Sequence, residues 1–222
     1  MNMKKRAFAS IVSHAFPLLL LVFAATAFAG TSIYKLDFGT PSSPVAEGFQ
    51  AAEIPSLQET LDPVFGVTDE KGRNPIEIRF KGSIGGFSLG DESKPLTTDG
   101  IYTFKKKAEE GADATAPDEP INIDFVISGF PAGSLVTFYG VNAWNGAGRA
   151  AFLSLGGGGM VDLAESKEPQ AGSSTPDTFV LVAAKQKVGA DGKLAGVFSN
   201  SDGAKPRAEG QWGGMILIVE TP

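Results

Sequence analysis

The chain has 222 residues, no cysteine and one histidine, His14, with 19 Lys and Arg against 25 Asp and Glu. No disulfide is possible, and beyond residue 14 the Ser-His-Asp, Cys-His and ordinary zinc or copper chemistries are excluded. The net charge of −6 argues against nucleic acid and anionic membranes and favours neutral partners or divalent cations.

Lys4, Lys5 and Arg6 precede an apolar run over 15–23 that is short for a membrane span. Ala27-Phe28-Ala29 then offers a small-x-small cleavage site. This pattern predicts a secretory signal peptide over 1–29, cut before Gly30. Without cysteine there is no lipobox. The expected product is one domain of 193 residues, 30–222, secreted or periplasmic and not held to a membrane. Its net charge is −9, because three basic residues leave with the leader. A domain of this size buries a core without covalent staples.

Helical periodicity is nearly absent after residue 30. Short alternating runs separated by Gly, Pro, Asp and Ser predict an all-β, antiparallel two-sheet β-sandwich. Residues 33–38 read as a strand with Tyr34, Leu36 and Phe38 on the apolar face and Ile33, Lys35 and Asp37 opposite. Pro41 and Pro44 stiffen an excursion, and Gly48-Phe49 returns the chain to the core. Residues 56–61 could form one helical turn. Residues 68–75 are a turn cluster, and 76–81 a strand with Ile76, Ile78 and Phe80 inward. In the glycine-rich stretch 83–90, Phe87 and Leu89 are expected core anchors. Residues 96–104 read as a strand interrupted at Asp99-Gly100. The polar segment 105–120 is too poor in apolar residues to order itself and reads as a solvated loop. Residues 121–128 and 135–141 flank a tight Gly129–Ser134 turn and predict a β-hairpin. A second hairpin is expected around Asp191-Gly192, between 187–188 and 194–198. Further strands are expected at 150–155, 160–163, 178–184 and 215–219, the first of these followed by a four-glycine turn.

Two stretches carry a family likeness. Asp37-Phe38-Gly39-Thr40, followed by Ser42-Ser43-Pro44-Val45 and Gly48-Phe49, resembles the start of galactose-binding-like jelly-roll domains of secreted bacterial proteins. These include the non-catalytic domains fused to rhamnogalacturonan acetylesterases and other polysaccharide-acting enzymes. Gly129-Phe130-Pro131-Ala132-Gly133-Ser134 and the strand after it resemble the central hairpin of the same family. The resemblance implies a jelly-roll sandwich closed by pairing of its first and last strands. It also implies carbohydrate binding and, in many members, a structural calcium near the chain ends.

Several side chains are candidates for that work. Asn142, Trp144, Asn145 and Arg149 follow a strand directly. An indole offers a flat face for the C–H side of a pyranose, and amides and a guanidinium match vicinal hydroxyls. Trp212 is a second aromatic candidate, though packing against Phe38 or Phe49 is the commoner fate of such a residue. Asp37, Glu47 and Glu220 are possible oxygen ligands for calcium, with Asp37 and Glu220 meeting if the end strands adjoin. Gly86-Phe87-Ser88-Leu89-Gly90 matches a nucleophile elbow, but its β-rich context and the lack of a histidine base argue against an esterase. The expected function is thus a secreted, non-catalytic module that binds polysaccharide or another glycan by aromatic stacking in a loop-lined groove. The alternatives are a structural, self-associating surface protein, or a hydrolase using paired carboxylates such as those of Asp99, Asp124 or Glu209.

Overall fold

The structure, a computed structural model, describes residues 30–56, 58–90, 96, 99–103, 119–143, 149–166 and 179–222. The predicted leader and almost all of the polar loop at 105–120 lie outside the described residues.

The described chain is all-β. Its first strands are β1 (Gly30–Gly39), β2 (Gln50–Glu53), β3 (Thr60–Leu61), β4 (Val64–Val67) and β5 (Ile76–Lys81). There follow β6 (Ser83–Ser88), β7 (Asp99–Thr103), β8 (Asn122–Ser128), β9 (Leu135–Val141) and β10 (Phe152–Leu155). The last are β11 (Val161–Asp162), β12 (Val180–Lys187), β13 (Lys193–Ser199), β14 (Gln211–Trp212) and β15 (Gly214–Thr221). The described part of 56–61 is not helical: Ser56 bridges to Gly86, and Thr60–Leu61 is β3.

Two large sheets face each other, in the orders β12-β9-β15-β1-β2 and β11-β10-β13-β8-β5-β4. A third, smaller sheet in the order β14-β7-β6-β3 was not foreseen. It adds Ile84, Ile101 and Trp212 to the same core cluster. First and last strands do pair, antiparallel from Gly30 opposite Thr221 to Asp37 opposite Gly214. One parallel pair, β1 with β2, departs from the antiparallel expectation.

The period-two strands bury the faces their sequences dictate. On β5, Ile76, Ile78 and Phe80 are buried while Arg79 and Lys81 are exposed. Phe38 and Phe80 meet across the core at 6.3 Å, and Phe125 meets Phe138 at 6.4 Å. In the glycine-rich stretch Phe87 is buried as expected, but Leu89 lies past the end of β6 and is exposed. Of the strand expected over 96–104, residues 99–103 form β7, so Asp99 and Gly100 open it, while 97, 98 and 104 lie outside the described residues.

Neither expected hairpin forms. β8 lies in the six-stranded sheet and β9 in the five-stranded one, so residues 129–134 arch from layer to layer. β12 and β13 are likewise in different sheets, joined by a second arch. The glycine conformations that suggested hairpin turns are present, with Gly129, Gly133 and Gly192 at φ of 100°, 82° and 68°. They turn the chain across the ~10 Å between layers instead. The gain is packing: strands related by an arch face each other through the core, whereas a hairpin would set Phe125 and Phe138 side by side. The two arches also hydrogen-bond together. Val188 donates to the Ser134 carbonyl at 2.9 Å, Gly133 to Val188 at 3.1 Å and Phe130 to Gly192 at 3.2 Å. Phe130 and Val188 plug that end of the core.

The five-stranded sheet is covered on its outer face as well. Ala46, Phe49, Leu96, Val141, Phe179 and Ile216 form a second buried cluster there, with Phe49 and Phe179 stacked at 6.1 Å. Phe49 therefore returns the chain to this second cluster and not to the main core. The covering loop explains why Asp37, on the face expected to meet solvent, is buried.

Candidate functional site

The C-terminal end of β9 and the N-terminal end of β15 lie side by side, with Val141 opposite Gly214. From this end of the sandwich the 142–149 connection departs. Asn142 is buried, and its backbone N–H donates to Ser166 Oγ at 3.0 Å. Trp144 and Asn145 lie outside the described residues. Arg149 returns the chain, and its Nη1 donates to Glu209 Oε1 at 2.8 Å. The same carboxylate oxygen accepts Gln211 Nε2 at 3.0 Å.

Backbone pairing holds these groups in register. Gln211 N–H donates to the Arg149 carbonyl at 2.8 Å, and Ala151 N–H to the Gln211 carbonyl at 3.0 Å. Tyr102 on β7 is paired with Gln211 on β14. The Tyr102 ring lies across Gly85, where an added Cβ would collide with it. Burial, and secondly the Glu209 charge, push the Tyr102 hydroxyl above its usual pKa, so it stays protonated at ordinary pH. A half-buried phenol, a half-exposed guanidinium and a carboxylate thus share one rim. Such a set supplies an aromatic surface, a planar donor fork and an acceptor.

The floor of this rim is fixed by Arg207. Its guanidinium meets Asp162 with two bonds of 2.8 and 2.7 Å, reaches the Ala150 carbonyl at 2.8 Å and lies 4.2 Å from the Phe152 ring centroid. Burial works against the Asp162 charge, but Arg207 and the Ala164 amide win and hold its pKa below the ordinary carboxylate value. The segment between β13 and β14 is therefore pinned to β11 beneath Glu209.

Trp212 is not part of a binding face. It is fully buried, with Phe38 at 4.7 Å, and its indole N–H donates to the Gly214 carbonyl at 2.8 Å. Its near neighbour Glu209, with Tyr102, reaches the rim, while Gln211 is itself buried and braces Glu209 from inside. Alternation gave no cue here, because Gln211 and Trp212 are both buried. Nothing local marked Tyr102.

The proposed calcium ligands do not come together. Antiparallel pairing puts Asp37 opposite Gly214 and Glu220 opposite Thr31, at opposite ends of β1. Glu220 is paired with Lys185 at 3.2 Å, and Glu47 is exposed on the covering loop. Among the described residues no group of three or more acidic, His or Cys side chains could hold a metal.

Asp37 has a different environment. Its Oδ2 accepts the Ala46 amide at 2.7 Å. Burial pushes its pKa up to about 8; the Ala46 amide works against this and the Asp99 charge adds to it. The cleft beside it, lined by Thr40, Ser43, Val45 and Glu53 among others, has a volume of about 160 Å³ including its open mouth. That is well below the ~300 Å³ of a usual small-molecule pocket. Ser88 ends β6, in a strand setting and not at a strand-to-helix turn. No family model, curated protein or solved structure matches this chain.

Proposed function

We propose that the chain is an exported, non-catalytic β-sandwich of the galactose-binding-like kind. In this reading it binds carbohydrate at the end of the sandwich bounded by Tyr102, Arg149, Glu209 and the 142–149 connection. The observation that carries the reading is the Arg149–Glu209 pair, braced by Gln211 and set beside Tyr102 where that connection returns. The connection itself carries Trp144 and Asn145, the aromatic and amide groups that a sugar face requires. The pairing of β1 with β15 agrees with the closure that the resemblance implies.

Among the described residues, edge geometry disfavours the alternative of self-association by strand pairing. The edge strands β2, β3, β4, β11 and β14 have between two and four residues. The longer edge strand β12 is broken by two register shifts and carries Lys185 at φ 49°. Short and bulged edges resist strand-to-strand addition.

Affinity electrophoresis of residues 30–222 through pectic, galactan, xylan and glucan gels tests the reading, with Trp144→Ala and Arg149→Ala alongside. At least one polymer retards the wild type, and Arg149→Ala weakens that affinity about tenfold, the scale of a charged hydrogen bond. Retardation by no polymer would remove carbohydrate as the ligand. Retardation untouched in both variants would remove this end as the site.

A further inference from the structure

We propose that Tyr102 is the stacking surface of the carbohydrate site and that Gly85 is the positioning residue that lays it flat. The assignment rests on the carbohydrate reading above and names its aromatic contact. Tyr102 stands in one row of the third sheet, with Gly85 of β6 on one side and Gln211 of β14 on the other. From Gln211 the row runs on to the rim. Gln211 Nε2 donates to Glu209 Oε1 at 3.0 Å, and the same oxygen takes Arg149 Nη1 at 2.8 Å.

Gly85 is a glycine for the sake of that ring. It lies inside β6 with a backbone outside the left-handed region, so the strand itself would accept a side chain there. What excludes one is Tyr102. A Cβ on Gly85 would lie 2.5 Å from the phenol oxygen and 2.7 Å from Cε1. The three nearest atoms, Cζ, Oη and Cε1 of Tyr102, all lie within 2.7 Å of that point, as they do when a ring is met over its face. The next residue differs: a Cβ on Gly86 would strike the Ile54 carbonyl oxygen at 2.7 Å, a backbone atom that cannot swing aside. A glycine inside a strand weakens it, through lost chain entropy and a missing side chain. Here it lets a phenol spread over bare backbone, with Gly85 buried and Tyr102 above it half-buried. Phe87, two residues on along β6, is buried and braces the ring at a centroid distance of 6.2 Å. A ring lying along a sheet and partly open to solvent turns its face outward, and a face is what the C–H side of a pyranose stacks on. Tyr102 thus supplies the apolar contact, while Glu209 and Arg149 at the end of the same row supply an acceptor and donors for hydroxyls.

Affinity electrophoresis of the protein through galactan, xylan, glucan and pectin gels, with urea unfolding alongside, tests the assignment. Toward the polymer that retards the wild type most, Tyr102→Leu loses about tenfold in affinity, the scale of one stacked ring. Tyr102→Phe, which keeps the ring, recovers most of that loss. Gly85→Ala has a urea midpoint at or above that of the wild type, because the ring end swings away and alanine suits a strand interior better than glycine. Its affinity nevertheless falls as that of Tyr102→Leu does. In the Tyr102→Leu background Gly85→Ala costs no further affinity, because it acts through the ring. Affinity unchanged in Tyr102→Leu or in Gly85→Ala would overturn the assignment and leave the carbohydrate reading in place. So would losses in the two variants that add in full. Retardation of the wild type by no polymer would overturn both together.

Discussion

Trp212→Ala destabilises the protein by about 3–5 kcal/mol, the range for deleting a large buried aromatic. Against the 5–15 kcal/mol of a typical domain, much of the stability goes with it. The reason lies in what this one ring joins. It sits on the small third sheet and touches Phe38 of the five-stranded sheet at 4.7 Å and Phe138 at 5.9 Å. From the six-stranded sheet come Phe198 at 5.6 Å, Phe125 at 5.7 Å and Phe80 at 6.0 Å. Truncation leaves a cavity where three sheets meet, with stiff rings on every side that cannot collapse into it. Trp212→Phe keeps an aromatic but loses the N–H donor to Gly214 and part of the ring volume, and costs about 1–3 kcal/mol. Urea unfolding of the two variants gives the comparison directly: midpoints fall in the order wild type, Trp212→Phe, Trp212→Ala, with the slope preserved.

The second large effect is a loss of stability toward alkaline pH. Asp37 has an ordinary value of 3.8 and a folded value of about 8. Below 3.8 folded and unfolded chains both carry the proton. Between these values only the folded chain holds it, so folding takes up a proton and stability falls as pH rises. The fall is complete once pH exceeds about 8. At ~1.4 kcal/mol per unit, reduced for local relaxation, the loss over this window is on the order of 3–5 kcal/mol. Asp69 and Asp162 act in the opposite sense. Burial opposes the charge of each, but hydrogen bonds outweigh it. Asp69 is held below the ordinary value by the amides of Arg73 and Lys71 and by Asn74 and Ser32; Asp162 is held below it mainly by Arg207. Their contributions are present above 3.8 and are lost as pH falls through their folded values. The stability maximum therefore falls at mildly acidic pH, and Asp37→Asn flattens the alkaline limb while leaving the acid limb unchanged. Denaturant titrations at pH 5, 7 and 9 read both limbs. A wild type equally stable at pH 5 and pH 9 would contradict this account of Asp37.

Strands such as β5 and β8 were legible because one face is buried and the other is not. Tyr34, Leu36 and Phe38, or Ile76, Ile78 and Phe80, declare that face by alternation alone. Sheet membership was not legible. Gly129 and Gly133 mark a reversal in either case, and only the fit of Phe125 against Phe138 makes it an arch. The burial of Asp37 was hidden for a related reason: alternation assigned it to solvent, and a loop that returns through Ala46 and Phe49 covers it. Of the rim, Arg149 could be named from its place after a strand, while Glu209 and Tyr102 join it only through the pairing of β14 with β7. Trp212 carried two readings in the sequence, and the core one holds.

The measurement closest to the central claim is amide chemical-shift mapping during titration with an oligosaccharide of the polymer that retards the protein most. The account predicts shifts concentrated at Tyr102, Arg149, Glu209 and Gln211, with the two arches, 129–134 and 188–192, at the far end of β9 unmoved. Shifts centred on the arches or on the outer sheet faces, or none at saturating ligand, would contradict it.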